Sequence, residues 1–239
     1  METDPDDVLG RRVAPVPEPL RGDEAFTGAS GPTDPFTVLD FWRYAMPDLR
    51  TNTTRGLLAE FLAHRALGAR VRNGEWESFD VLTDDGLRVE VKASAYVQVW
   101  DQRGPSAIRF TRLRGRTGTA RGGDGSEPTY NADVYVFALH TAPDHAAYDP
   151  LDLGQWSFYV LPGPRVEALA QTSLGLATLS RLAGPSVPFD ALAARVRSAD
   201  PRRSAGAAPG SVPAARVAAS GPAPWRAASA APADHIGEG

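Results

Sequence analysis

From Leu87 to Trp100 the chain alternates without a break. Leu87, Val89, Val91, Ala93, Ala95, Val97 and Val99 are apolar, and between them stand Arg88, Glu90, Lys92, Ser94, Tyr96, Gln98 and Trp100. A period of two over that length fits a β-strand with one face in a core and excludes an amphipathic helix, whose apolar positions recur at three and four. Upstream, Glu77 to Thr83 reads as a preceding strand and Asp84-Asp85-Gly86 as the turn between them. A three-residue loop of this composition, a type I turn closed by Gly in the left-handed conformation, sets the pairing. It places Thr83 opposite Leu87, Leu82 opposite Arg88, Val81 opposite Val89 and Asp80 opposite Glu90. A two-residue loop would pair Asp80 with Val91 instead. Opposed residues of an antiparallel pair project to one side with Cβ atoms roughly 5 Å apart. The loop length therefore predicts two neighbouring carboxylates, with Lys92 next along the same face.

Around this hairpin the remaining pattern is mixed. Thr53 or Thr54 can cap a helix that runs through Leu67 and stops at Gly68, with Leu57, Leu58, Phe61, Leu62 and Leu67 on a broad apolar face and Glu60 inside it. Ile108 to Leu113 reads as a third strand, Ala132 to His140 as a buried strand and Gln155 to Leu161 as another. Short helices are expected at Arg165 to Ala170, Ala177 to Leu182 and Phe189 to Arg197. The class is α/β, with an antiparallel meander behind an N-terminal helix.

Composition separates a core from two tails. Residues 1–34 hold eight acids against three arginines with little apolar periodicity, and from Ala199 the chain is mostly Ala, Pro, Gly, Ser and Arg. Neither stretch can bury enough apolar surface to offset chain entropy. The expected organisation is a disordered acidic segment over 1–34, a folded domain over 35–198 and a disordered tail over 199–239. The absence of cysteine excludes disulfides, thiolate nucleophiles and cysteine zinc sites. No secretory or membrane-spanning run is present, so a cytoplasmic protein with no membrane partner is expected. The four histidines show no metal-ligand spacing.

Two carboxylates facing each other across a ladder repel unless a cation lies between them. Mg²⁺ is bound through one or two carboxylates with waters and substrate phosphate, and Asp80 with Glu90 offers that number. Lys92 is the one lysine among 25 basic residues. An ammonium is a compact point charge whose pKa can move, whereas a guanidinium stays charged, so an Arg-rich chain that keeps an amine there points to chemistry at a metal-bound water. A solvated strand face of alternating Glu and Lys satisfies the same pattern without an ion, and Glu60 can equally pair with His64 one turn on.

These residues resemble the PD-(D/E)XK nuclease superfamily, with its restriction-endonuclease-like fold. That pattern is a helix bearing a Glu, then a hairpin with Asp on one strand and (Asp/Glu)-x-Lys on the next. The matching positions are Glu60 in Leu57-Leu58-Ala59-Glu60-Phe61-Leu62, Asp80 in Ser78-Phe79-Asp80-Val81, and Glu90-Val91-Lys92. Phe79 stands where the pattern has Pro. The resemblance covers residues 53–100 and implies a mixed central sheet with an antiparallel hairpin carrying the site, flanked by helices. It further implies that Asp80, Glu90 and the Val91 carbonyl bind Mg²⁺, for which Mn²⁺ can substitute, that Lys92 activates water, and that Glu60 supports the metal or its water shell. Gln98 is similar to the downstream polar residue that some members aim at the scissile phosphate.

Arg103, Arg109, Arg112, Arg114 and Arg116 follow the hairpin with no acid among them. The run suits contact with a phosphate backbone, and a solvated Arg-rich loop explains it equally. The expected function is thus Mg²⁺-dependent hydrolysis of DNA phosphodiesters. A homodimer is compatible with it, since cutting two strands needs two sites. The alternative is a catalytically silent nuclease-like module that binds nucleic acid in a defence or repair complex.

Overall fold

Thr37 turns strand into helix near the amino end. Its hydroxyl accepts the Asp40 N–H, and the Asp40 carboxylate accepts the Thr37 N–H at 2.8 Å, so each satisfies a donor that a helix start leaves open. A computed structural model describes residues 18–28, 31–69, 78–115 and 127–204, and the chain divides into one unit up to Leu49 and a second from Arg50. In the first, β1 (Ala25–Gly28) and β2 (Gly31–Thr37) pair antiparallel and lead into α1 (Val38–Ala45). The boundary expected at residue 34 therefore falls inside a strand. The reason is that Phe26 and Phe36 give this acidic stretch a ring contact, 4.8 Å between centroids, that composition alone does not reveal. Residues 1–17 lie outside the described part.

The second unit opens with α2 (Asn52–Leu67). Thr51, rather than Thr53 or Thr54, is its cap, and its hydroxyl accepts the Thr54 N–H at 3.2 Å. Gly68 ends the helix with a φ of +67°, as its position in the sequence predicts. Next come β3 (Val81–Leu82), β4 (Arg88–Ala95), β5 (Arg109–Thr111), β6 (Val134–His140) and β7 (Trp156–Pro162). The chain then forms α3 (Gly163–Glu167), β8 (Ser173–Gly175), α4 (Leu176–Ala183), α5 (Phe189–Ser198) and α6 (Pro201–Ser204).

At the hairpin, Val81 faces Val89 and Leu82 faces Arg88, the register that a three-residue loop dictates. Gly86 has a φ of +80°, and its N–H closes the turn on the Thr83 carbonyl at 2.9 Å. The central sheet runs β3, β4, β6, β7, with β4 and β6 parallel and the other two pairings antiparallel. The meander expected from sequence is thus replaced by a crossover between β4 and β6. Ile108 to Leu113 does not join this sheet, because β5 pairs with β8 in a separate antiparallel ladder.

The two faces of the sheet bury different residues. On one, Val89 and Val91 of β4 with Val134, Val136 and Ala138 of β6 pack against Ala59, Leu62 and Ala63 of α2 and Leu192 and Val196 of α5. On the other, Tyr135, Phe137 and Leu139 pack with Phe110, Leu174, Val166 and Leu179. All seven residues of β6 are buried because it lies inside the sheet with cover on both sides, and its sequence accordingly reads as a continuous apolar run. Glu90 and Lys92 face this second side, opposite Tyr135 and Phe137 in the parallel register.

The alternation of residues 87–100 outlasts the strand it predicts. β4 ends at Ala95, which pairs with the last residue of β6, His140, so no partner strand continues the ladder. At the carboxyl end the domain runs past residue 198. Asp200 is 4% exposed and accepts the Arg202 N–H at 2.9 Å, and α6 follows it. Residues 205–239 of the expected tail are outside the described part.

Candidate active site

β3 supplies only two rungs, so Asp80 stands just before the ladder and serves it twice. Its N–H donates to the Val89 carbonyl at 3.0 Å, and its Oδ2 accepts the Val91 N–H at 2.6 Å. The N–H and carbonyl of one strand residue point the same way, so the Val91 carbonyl also faces this edge, beyond the end of β3. Glu90 and Lys92 lie on one face of β4 with side chains 13% and 19% exposed, and the Lys92 ammonium donates to Glu90 Oε1. Among the described residues, Asp80 Oδ1 and Glu90 Oε2 accept no hydrogen bond.

The electrostatics show that these groups share one locale. Burial raises the Asp80 carboxyl above its usual range, against the opposing pull of Lys92 and of the Val91 N–H. Burial also pushes Glu90 up to about 7, and the negative charge of Asp80 pushes the same way. Lys92 works against that rise, whereas Glu60, half-buried on α2, adds to it. The structure therefore brings Asp80, Glu90 and Lys92 together where β3 meets β4, and Glu60, on α2, is near enough for its charge to act on Glu90. Tyr135 borders the cluster. Burial and then the charge of Glu90 raise its phenol, whose hydroxyl donates to the Leu113 carbonyl at 3.0 Å.

Gln98 does not continue the polar face of β4. It lies beyond the end of β4, buried, and its Nε2 donates to the Ala95 carbonyl at 2.8 Å. Its Oε1 accepts from Arg55 of α2 at 3.1 Å. Arg55, 3% exposed, also donates to the Arg50 carbonyl and to Asn52 Oδ1, and no carboxylate pairs with it among the described residues. Sequence reasoning missed Arg55. The available signal was its place on the buried stripe that continues through Ala59, Leu62 and Ala63.

The arginines of the run differ in their surroundings. Arg103, Arg109 and Arg112 are exposed, and Arg109 donates to Ser173 Oγ at 2.9 Å across the β5–β8 ladder. Arg112 has a φ of +56°, which swings the chain so that Leu113 enters the core. Arg114 is half-buried, donates to the Ala170 carbonyl at 3.1 Å and lies 5.1 Å from the centre of the Tyr130 ring. Arg116 lies outside the described residues.

Among the described residues, no group of three or more His, Asp or Glu side chains is placed to hold a metal ion. The donors that do converge are two carboxylates, each with an oxygen that accepts no hydrogen bond, and one backbone carbonyl. These hard oxygens fit Mg²⁺, which takes few protein ligands and keeps several waters. They do not suit the softer metals that prefer sulfur or imidazole. Also among the described residues, no helix is long and apolar enough to cross a membrane. No family model matches the chain, and no curated protein matches it.

Proposed function

We propose that this chain is a Mg²⁺-dependent endonuclease of the PD-(D/E)XK type, with a restriction-endonuclease-like fold, hydrolysing DNA phosphodiester bonds. The observation that carries this reading is the half-buried meeting of Asp80, Glu90 and Lys92 at the end of β3. Two carboxylates whose burial disfavours their charge form a poor structural ion cluster and a good cation site. Asp80, Glu90 and the Val91 carbonyl would hold the ion. When bound, it polarises a phosphoryl oxygen and lowers the pKa of a water.

The protein groups have separate tasks around that reaction. The Val91 N–H holds the Asp80 carboxylate in one orientation, leaving the other oxygen for a ligand. Lys92, tethered by Glu90, offers an ammonium that donates to a phosphate oxygen or orients the attacking water. Glu60 approaches from α2 and orients water. Gln98 ties the end of β4 to Arg55 of α2 and so keeps the helix in step with the hairpin. Water oxygen bonds to phosphorus as the bond from phosphorus to the 3′ oxygen breaks. The proton lost by water ends on that oxygen, leaving a 5′ phosphate.

Purified protein is expected to nick or cut plasmid with Mg²⁺ or Mn²⁺, and Asp80→Ala and Lys92→Ala are each expected to abolish the activity. Cleavage that survives both substitutions rules the site out. That no group of three or more His, Asp or Glu side chains is placed to hold a metal ion among the described residues gives weight to a second reading, a silent module that binds nucleic acid. Calorimetry separates the two. DNA binding without uptake of Mg²⁺ or Mn²⁺ favours the module, and uptake lost in Asp80→Asn favours the enzyme.

A further inference from the structure

Immediately after β4 the chain makes a loop that is fastened at its centre and bare at its tip. Its ends meet where the Ser106 N–H donates to the Tyr96 carbonyl at 2.8 Å. The Gln102 side chain fills the middle: its Oε1 accepts the Gln98 N–H at 2.6 Å, and its Nε2 donates to Ser106 Oγ at 2.8 Å and to the Tyr96 carbonyl at 3.2 Å. The root is locked as well, since Gln98 bonds both Ala95 and the buried Arg55. Closed loops of this length, with their ends together and packed by their own side chains, often carry function.

What this loop presents is the informative part. A loop fastened only for stability would turn its largest apolar side chain inward. Here Val99 is 39% exposed and Trp100 53%, with Arg103 exposed close by. The loop's hydrogen bonds hold an indole and a guanidinium in water. Lowering the entropy of an unoccupied surface in this way is what preorganises a recognition element. An exposed indole beside a cation matches a nucleobase beside its phosphate, through stacking and ion pairing.

We propose that the 96–106 loop is a stacking arm for single-stranded nucleic acid, with Trp100 against the face of an unpaired base and Arg103 on the neighbouring phosphate. The proposal rests on the nuclease reading above and deepens it by naming the substrate class. In a duplex the faces of the bases are covered by their neighbours, whereas in a single strand they are open to an aromatic ring. The arm starts four residues past Lys92, about 13 Å along the chain, within the span of a few nucleotides of an attacked phosphate.

The test uses the full chain in EDTA, where no hydrolysis is expected, with fluorescence anisotropy of a labelled oligothymidylate and of a labelled duplex. Trp100→Ala is expected to weaken single-strand binding about 5- to 100-fold while barely changing duplex binding, and Trp100→Phe to recover most of the loss. Arg103→Ala should make the salt dependence shallower by about one phosphate contact, which Trp100→Ala should not do. Gln102→Ala, which frees the loop and leaves its tip intact, should also weaken single-strand binding. Wild-type affinity in Trp100→Ala, or equal losses for both ligands, overturns the proposal, and so does a wild-type chain that binds neither. Binding that depends on Trp100 in a chain that never cleaves sinks the nuclease reading and leaves the arm standing. Cleavage of single strands with unchanged KM in Trp100→Ala sinks the arm alone.

Discussion

Asp80 accepts the backbone N–H of Val91 at 2.6 Å, so a carboxylate oxygen occupies the rung that β3 is too short to provide. One side chain thus terminates the hairpin and faces the candidate metal site. Substitutions can separate these two duties. Asp80→Asn keeps an acceptor for Val91 and loses the charge, so it should fold with wild-type stability while losing Mg²⁺ uptake and cleavage. Asp80→Ala leaves the N–H without its acceptor and should cost a further 1–3 kcal/mol or so in urea unfolding. Equal stability of the two variants would show that this hydrogen bond has no structural weight.

Lys92 is expected to tolerate no other cation. Lys92→Arg keeps the charge but spreads it over a planar fork that cannot act as a point donor, and cleavage should fall at least about 100-fold, with KM changing less than kcat. In Lys92→Met, Glu90 loses the ammonium that holds its carboxyl down, so its titration by carbonyl NMR should move upward. A downward movement would contradict the contact between the two side chains.

Stability without metal should fall as pH rises through neutrality, on account of Glu90. Burial first and Asp80 second raise this carboxyl from 4.5 to about 7 in the folded chain. An unfolded chain gives up the proton earlier, so the contribution is whole below 4.5 and gone once pH passes about 7. Relative to Glu90→Gln, which carries no charge at any pH, the wild type should lose stability between pH 5 and 8. Mg²⁺ should restore part of it. A difference that stays flat across that range would remove Glu90 from the account.

His140 pulls in the opposite direction. It is fully buried at the end of β6, stacked on Tyr148 with ring centres 3.9 Å apart, and its Nε2 lies 3.1 Å from the Asp149 carbonyl. Burial lowers its pKa below 6.5, so the unfolded chain binds a proton first as pH falls. The stability this group contributes is whole above 6.5 and is lost on acidification through the folded value. His140→Gln should lower stability at pH 8 and flatten the loss below pH 6.5 in thermal unfolding, whereas an unchanged acid slope would acquit this side chain.

Arg202 of α6 braces the hairpin turn across more than a hundred residues of sequence. It donates from Nη1 to the Asp85 carbonyl at 3.1 Å and from Nε to Asp200 Oδ1 at 3.0 Å. Its own side chain is 41% exposed, whereas that of Asp200 is 5% exposed. Arg202→Ala should therefore cost about 1 kcal/mol or less, and Asp200→Ala about 1–3 kcal/mol, in chemical denaturation. The reverse order would mean that the brace depends on Arg202 rather than on the buried acid.

Residue order alone determined whatever depends on neighbours. The Asp84-Asp85-Gly86 turn, the register it imposes, the end of α2 at Gly68 and the continuous apolar run of β6 follow from local sterics and burial pattern. The expectation that Asp80, Glu90 and Lys92 share one face came from the same source, because a loop's length sets which residues oppose each other. Only the tertiary structure decided what depends on distant partners. β4 stops at Ala95 despite five further alternating residues, since β6 ends beside it at His140, and β5 leaves the central sheet because β8, some sixty residues on, is its partner. Arg55 meets Gln98, and the charge of Glu60 comes within reach of Glu90, through the packing of α2 on β4 rather than through any local pattern. Alternation reports which side of a strand is apolar, but hydrogen bonds to another strand decide where the strand ends, and those partners are chosen by the whole fold.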